Sequence, residues 1–80
     1  MSNILNFNIN PNSPIPVYIQ IENLVQFAIV SGMILPGETL PSVRKLSTEL
    51  STNANTVSKA YRDLELRGFV KPSRGVGVIV

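Results

Sequence analysis

The chain has 80 residues, of which 44% are apolar and 15% are charged, and its net charge is +2. A chain of this length forms one small domain with a single core, and we expect an apolar fraction this high to fold. It contains neither cysteine nor histidine, which excludes a disulfide framework, the usual zinc sites and histidine-based catalysis. No basic segment precedes an apolar one near the N-terminus, and no apolar run could span a bilayer, so we expect a cytoplasmic protein without membrane association.

Charge is divided unevenly between the two halves of the chain. Residues 1–40 hold two acids and no base, whereas residues 41–80 hold all seven bases and three acids. A basic half favours a polyanionic partner, but an ordinary solvated surface explains the imbalance equally well. Charge alone therefore leaves both interpretations open.

Residues 1–14 are predicted to form an N-terminal arm that is rich in asparagine and proline. Leu5, Phe7 and Ile9 alternate with asparagines, which is the period of a half-buried strand. The prolines that follow would end such a strand. The arm either docks on the domain or a partner, or forms a frayed terminus, and the sequence favours neither alternative.

The first helix is predicted at residues 17–31. Pro16 precedes it, where a missing N–H costs nothing, and Gly32 can close it as a C-terminal cap. Apolar residues at helical spacing cover most of its surface, so we expect this helix to be buried on more than one side. Leu35-Pro36-Gly37 then has the composition of a tight turn.

Two more helices are predicted close together. The second spans residues 43–50, with Ser42 as its N-cap, and is short and amphipathic. The third spans residues 54–67, is capped by Thr52 or Asn53, and ends at a glycine. Its expected buried stripe consists of Val57, Ala60, Tyr61 and Leu64.

The end of the chain is predicted to form a β-hairpin, with strands at residues 69–71 and 78–80 and a glycine-containing turn between them. Two helices joined by a three-residue turn make a helix-turn-helix, here residues 43–62, and a hairpin at 69–80 adds a wing. The sequence therefore predicts a mainly α fold with a small β-hairpin, a winged helix-turn-helix of three helices plus wing. In such a unit the second helix of the pair, here the third helix of the chain, enters the major groove of DNA.

The face of the third helix opposite its apolar stripe is polar. Asn55, Ser58, Lys59 and Arg62 recur there at i, i+3, i+4 and i+7. Asparagine can pair with adenine, and lysine and arginine can neutralise phosphates. An ordinary solvated helix would prefer glutamate and lysine at these positions, so this pattern favours a nucleic-acid-binding face.

Further bases flank this helix. Arg44 and Lys45 lie in the first turn of the second helix, where a cation interacts unfavourably with the helix dipole. They either bind an anionic ligand or are ordinary solvated bases. Arg74, beside Gly75, gives the predicted hairpin a basic tip that could contact the minor groove or a phosphate. In the alternative interpretation, the glycines are needed only for the turn. The sequence Gly75-Val76-Gly77 opens no helix and is not a dinucleotide-binding fingerprint.

These residues carry a resemblance to a known family. The segments that carry it are Tyr18-Ile19-Gln20-Ile21, Leu35-Pro36-Gly37-Glu38, Leu40-Pro41-Ser42-Val43-Arg44-Lys45-Leu46, Asn55-Thr56-Val57 with Ala60-Tyr61, and Gly75-Val76-Gly77. Over residues 15–80 the chain resembles the N-terminal domain of GntR-family transcriptional regulators. The segment 53–57 followed by Ala60-Tyr61 is most similar to the YtrA-like subfamily, which is often associated with ABC-transporter operons.

The resemblance implies a DNA-binding domain at residues 15–80 of a homodimeric regulator, a repressor of an inverted-repeat operator, with no cofactor and no metal. It places a backbone contact on Arg44, base and phosphate contacts at the start of the third helix, and a wing contact on Gly75. Ala54 and Ser58 stand where some members have arginine, so no known operator is carried over. The candidate DNA-binding residues are Ser42, Arg44, Lys45, Asn53, Asn55, Thr56, Ser58, Lys59, Arg62, Arg74 and Gly75.

The end of the predicted hairpin falls at residue 80, where YtrA-like proteins continue into a helical dimerisation segment, and we expect that segment to be absent from this chain. The alternative function is a winged-helix module for protein–protein interaction, although such a face should be more apolar than the polar one predicted here. We do not expect an enzyme, because the five carboxylates show no convergent catalytic pair.

Overall fold

The computed structural model describes residues 9–73 and 77–80. Three helices, α1 (Val17–Val30), α2 (Val43–Leu50) and α3 (Ala54–Leu66), precede an antiparallel hairpin of β1 (Lys71–Ser73) and β2 (Gly77–Ile79). This order confirms the predicted winged helix-turn-helix, with α1 and α3 each one residue shorter than predicted. In the part of the chain that the structure describes, every helix is too short or too polar to cross a membrane.

The starts of α2 and α3 follow from their capping residues. The Ser42 hydroxyl accepts a hydrogen bond from the Lys45 N–H at 3.0 Å, and the Asn53 side-chain carbonyl accepts one from the Asn55 N–H at 2.7 Å. Each bond satisfies a backbone donor that has no partner within the first helical turn. The sequence left Thr52 and Asn53 open as the cap of α3, and the structure selects Asn53.

The core is built around α3, because both α1 and α2 pack against it. The predicted buried stripe of α3 is confirmed. One small core therefore fixes the orientation of all three helices, and it consists of Ile21, Val25, Ala28, Ile34, Leu40, Leu46, Val57, Ala60, Tyr61, Leu64 and Val70.

Helix α1 is buried or half-buried at every residue except Asn23, Phe27 and Val30, which form one exposed stripe. Phe27 is 65% exposed and Val30 is 80% exposed. The expected burial on more than one side therefore holds outside this stripe, with α3 as the main helical partner of α1.

The first strand begins two residues later than predicted. Phe69 was placed in it, but the Phe69 N–H donates to the Leu64 carbonyl at 3.0 Å, after Gly68 turns the chain with φ +84°. This is the backbone closure that commonly ends a helix. The next residue, Val70, is buried in the core, so the chain is free to pair only from Lys71 onward.

The hairpin pairs Lys71 with Ile79 and Pro72 with Val78. Pro72 was predicted to lie in the turn, yet it is tolerated in β1 because a strand at the edge of a sheet can lack an N–H. The second strand was predicted at residues 78–80 and runs from Gly77 to Ile79. The predicted tip at residues 74–76 lies outside the described residues.

A connection that the sequence did not predict ties the hairpin to the helices. The Leu40 N–H donates to the Val78 carbonyl at 2.8 Å, and the Val80 N–H donates to the Glu38 carbonyl at 2.9 Å. The segment between α1 and α2 thus pairs with the free edge of β2. The wing is therefore held by backbone hydrogen bonds on both sides of β2.

The described part of the arm is docked on α1. The Gln20 side chain donates to the backbone carbonyls of Asn10 at 2.9 Å and Ile15 at 2.8 Å, and accepts from the Asn10 N–H at 2.8 Å. Ile9 packs against the core. Docking is therefore the alternative found for residues 9–15, whereas the rest of the predicted strand pattern, Leu5 and Phe7, lies outside the described residues.

Ser51, which closes α2, has a left-handed backbone with φ +53°. We expect Ser51→Gly to raise the free energy of unfolding by up to about 1 kcal/mol, because glycine adopts this conformation without the clash of a Cβ atom. The matched control is Ser31→Gly at the end of α1, where φ is −81° and glycine should destabilise. Urea unfolding of both variants checks this, and a stability change of the same sign in both would contradict it.

Candidate nucleic-acid interface

The polar face predicted on α3 is exposed in the structure. Asn55, Ser58, Lys59 and Arg62, which we call the α3 ridge, are all accessible to solvent, on the opposite side from the buried stripe. Thr56 is half-buried at the edge of the ridge. The helix therefore presents two turns of hydrogen-bonding and cationic side chains outward while its other face anchors the core.

The start of α2 is joined to the middle of α3 by one side chain. The buried Tyr61 hydroxyl donates to the Pro41 carbonyl at 2.7 Å. Burial, together with the charge of Glu49, raises the pKa of Tyr61, so the phenol keeps its proton and remains a donor. Because Ser42 follows Pro41, this bond holds the residue before the cap of α2 against α3.

The candidate residues of α2 lie at the start of that helix. Arg44 and Lys45 are exposed in the first turn of α2. Ser42 is exposed too, and its hydroxyl oxygen accepts the capping hydrogen bond, so its O–H group can still donate to a ligand. All three side chains are accessible to solvent at the start of α2.

The two asparagines at the start of α3 differ in what they can offer a ligand. The Asn53 side-chain carbonyl accepts its capping bond, whereas the side-chain NH₂ remains available as a donor. Within residues 9–73 and 77–80, the Asn55 side chain makes no hydrogen bond and is exposed. Asn55 therefore keeps both the donor and the acceptor that pairing with an adenine edge requires.

Lys59 is turned toward α1 within the ridge. Its ammonium group lies 4.8 Å from the centre of the Tyr18 ring, within the range of a cation–π interaction. Sequence reasoning missed Tyr18 as a functional candidate. The available signal was an aromatic residue with a polar tip at the start of an otherwise aliphatic helix face.

A buried acid lies beneath the same edge of α3. Glu22 of α1 is 1% exposed, and its carboxylate lies 3.8 Å from the Arg67 guanidinium. The pKa of Glu22 is raised from 4.5 to about 7, first by burial and then by the hydrogen bond and the charge of Asp63, against the opposing charges of Arg67 and Lys59. Sequence reasoning missed this residue as well, although an acid between apolar residues of a core helix was a signal.

Two candidate residues, Arg74 and Gly75, lie outside the described residues. Across the two described segments, there is no group of three carboxylate, histidine or cysteine side chains close enough to hold a metal ion. Within the described residues, the candidate interface consists of the α3 ridge, the start of α2 and the edge of α3 that faces α1.

The comparisons with known proteins agree with this architecture. The model of the family described as bacterial regulatory proteins, gntR family, matches residues 17–80. The chain belongs to the GntR family. Among curated relatives, the transcriptional repressor YtrA of Bacillus subtilis is 43% identical over 72 residues, covering 90% of this chain and 55% of that protein.

Solved structures of the GntR family show the same fold. YtrA from Sulfolobus acidocaldarius, described as a GntR-family transcription factor, is 35% identical with a TM-score of 0.85, covering 92% of this chain and 78% of that one. The DNA-binding domain of AraR in complex with operator ORX1 is 28% identical with a TM-score of 0.79, covering 91% and 90%. The predicted resemblance to YtrA-like GntR regulators is confirmed, and the chain spans about half the length of the curated relatives it matches.

Proposed function

We propose that this chain is the operator-reading domain of a homodimeric transcriptional repressor, with α3 in the major groove and the start of α2 on the phosphate backbone. The observation that carries the proposal is the α3 ridge, exposed on the second helix of a helix-turn-helix. The names of the relatives support it, since YtrA is named a repressor and the AraR domain is described in complex with its operator. These are names of transcription regulators, not of enzymes.

The division of labour between the helices follows from their chemistry. Asn55 carries a free amide and suits a base edge, whereas Arg44 and Lys45 carry only charge and suit phosphates. The Tyr61–Pro41 hydrogen bond, which ties the residue before Ser42 to α3, supports this arrangement. Phosphate contacts would then set the register in which the ridge meets the bases.

An inverted repeat is the operator expected for two such chains. Recognition helices of a dimer meet half-sites about one helical turn apart, roughly 34–36 Å along the duplex. One chain measures 33 × 26 × 26 Å, so two chains can lie side by side at that spacing without overlap. Selection of bound duplexes from a random pool tests this, and a selected site with a single unrepeated half would contradict it. Control of a transporter operon from the cytoplasm is part of the proposal and follows the resemblance to YtrA-like regulators.

The two kinds of contact can be separated by mutation. We expect Arg44→Ala to weaken binding to every duplex and to lower the salt dependence, because it removes a charge over the backbone. We expect Asn55→Ala to leave binding to a scrambled duplex unchanged and to cost roughly 1–3 kcal/mol on the selected duplex. Titrations of both duplexes at two salt concentrations measure this.

The matched controls are Asn23→Ala, an exposed asparagine on α1, and Lys71→Ala, an exposed base on β1 outside the candidate set. If Asn55→Ala weakens binding to both duplexes equally, Asn55 contacts phosphate. Asn53, Thr56 or Ser58 would then be the residues that contact the bases. If neither Arg44→Ala nor Asn55→Ala changes DNA binding in a folded domain, the DNA-binding proposal fails and protein–protein interaction becomes the better interpretation.

Affinity for DNA should fall steeply with salt. We assign one phosphate each to Arg44, Lys59, Arg62 and Arg74, the last from the sequence alone. Two chains would then neutralise about eight phosphates, which predicts a slope of log K against log salt of about −7 by counterion release. A slope shallower than about −3 would show that most of these cations remain solvated in the complex.

A further inference from the structure

Two rows of side chains meet where α1 crosses α3, and we call them the interhelix cluster. Tyr18 and Glu22 lie at i and i+4 on α1, while Lys59 and Asp63 lie at i and i+4 on α3 and Arg67 follows four residues later as its C-terminal cap, so each set forms one row. Lys59 lies over the Tyr18 ring, and the Glu22 carboxylate lies 3.8 Å from the Arg67 guanidinium. The two rows therefore touch along about two turns of α3.

Core packing alone does not explain Glu22 at this place. It is the one polar side chain buried in the described part of the chain, and its second carboxylate oxygen has no partner there. A buried acid costs stability that an apolar residue of similar volume would not. The position of Glu22 is better explained by the side chains that it holds in place than by a contribution to core stability.

The interhelix cluster holds the edge of the α3 ridge in place. Lys59 belongs to both sets, and Asp63 follows Arg62 directly. Because successive residues of a helix are 100° apart, a rotation of α3 that broke the cluster would turn Asn55 and Ser58 away from their present direction. Side chains that recognise a ligand must be oriented to within about 10–20° of the productive geometry.

We propose that Glu22 and Tyr18 are positioning residues for the DNA-binding surface: Glu22 holds the end of α3 through Arg67, Tyr18 holds the ridge through Lys59, and together they refine the rotation of α3 that core packing sets. This inference rests on the proposed function, since it concerns the aim of the same ridge. Neither residue lies in the exposed ridge, and both act through side chains of α3.

The protonation of Glu22 gives this arrangement a measurable signature. The groups that face Glu22 are Asp63, Arg67 and Lys59 on α3, with Tyr18 one turn away on its own helix. With its proton, Glu22 can donate to Asp63, whereas ionisation places two negative charges together beneath the ridge. DNA phosphates oppose that added negative charge, so binding takes up a proton and tightens as the pH falls from 8 to 6, by at most about tenfold per pH unit for one proton per chain.

The first test compares the full chain with Glu22→Gln and Glu22→Leu on selected and scrambled duplexes at pH 6, 7 and 8. Glutamine keeps a neutral hydrogen-bond donor. For Glu22→Gln we therefore expect the ratio of the affinity for the selected duplex to that for the scrambled duplex to stay at its pH 6 value up to pH 8. Leucine keeps the buried bulk but not the donor, so we expect the ratio to fall by about threefold or more at every pH. Glu65→Gln, an acid-to-amide change elsewhere on α3, is the control and should retain the wild-type pH profile.

The second test uses the aromatic contact. We expect Tyr18→Leu to lower affinity for the selected duplex by about two- to fivefold, and Tyr18→Phe to restore it, because the ring face and not the hydroxyl holds the ammonium. In a Lys59→Ala background the Tyr18→Leu change should have no further effect. This pair keeps the proposal testable if Glu22→Leu does not fold.

A measurement without DNA separates this proposal from the proposed function. The backbone amide resonances of Asn55 and Ser58 should titrate near pH 7 in the wild type and not in Glu22→Gln. If the wild type distinguishes no duplex, the proposed function fails, and this titration alone decides whether Glu22 positions α3. Amide resonances that do not titrate, or a Glu22→Gln chain with the wild-type pH profile of binding, would overturn the proposal.

Discussion

Replacing Leu64 with alanine should lower the free energy of unfolding by about 2–5 kcal/mol. Leu64 is fully buried on α3, where it belongs to the core that joins α3 to its neighbours. Truncation removes apolar contacts and leaves a cavity that the surrounding helices can fill only in part. A domain of this size has a total stability of the same order, about 5 kcal/mol, so the variant should be partly unfolded at room temperature.

The same helix offers a matched control for this substitution. Leu66 is 80% exposed, and leucine and alanine have similar helix propensities, so Leu66→Ala should change stability by less than about 0.5 kcal/mol. Urea unfolding followed by circular dichroism compares the two variants with the wild type. Equal losses in both variants would show that Leu64 does not occupy the core position described here.

The stability of the domain should decrease as the pH rises from about 4.5 through 7, and Glu22 is the cause. Its folded pKa of about 7 exceeds the ordinary value of 4.5, so between these pH values the folded chain binds more protons than the unfolded chain. Stability that is fully present below pH 4.5 is therefore lost as the pH passes the folded pKa. A shift of this size corresponds to about 3 kcal/mol, as an upper figure.

Glu22→Gln should remove this loss, because the amide does not ionise. We expect the variant to be more stable than the wild type at pH 8, and the difference in their free energies of unfolding to shrink toward pH 5. Urea unfolding at pH 5, 6, 7 and 8 measures it, with Glu65→Gln as the control for an acid on α3 outside the interhelix cluster. Parallel stability curves for wild type and Glu22→Gln would show that Glu22 is not the group responsible.

Features that depend on neighbours along the chain could be predicted from the amino-acid sequence. The bounds of α2, the buried stripe of α3 and the exposed ridge followed from helical period, because side chains three and four residues apart share a face whatever lies opposite. The cap at Ser42 followed from the same locality, since a cap needs only the first turn of its own helix, whereas the sequence left the cap of α3 open between Thr52 and Asn53. The family resemblance was also visible, because its segments are distributed along the whole predicted domain.

Features in which distant residues become partners could not be predicted in this way. Pairing of the segment before α2 with β2, the docking of residues 9–15 by Gln20, and the Tyr61–Pro41 bond each join groups that no local period relates. The start of β1 shifted because closure of α3 occupied the Phe69 N–H. Glu22 shows the reason most clearly: the sequence shows an acid among apolar residues, but only its burial beside Arg67 in the folded chain raises its pKa beneath α3.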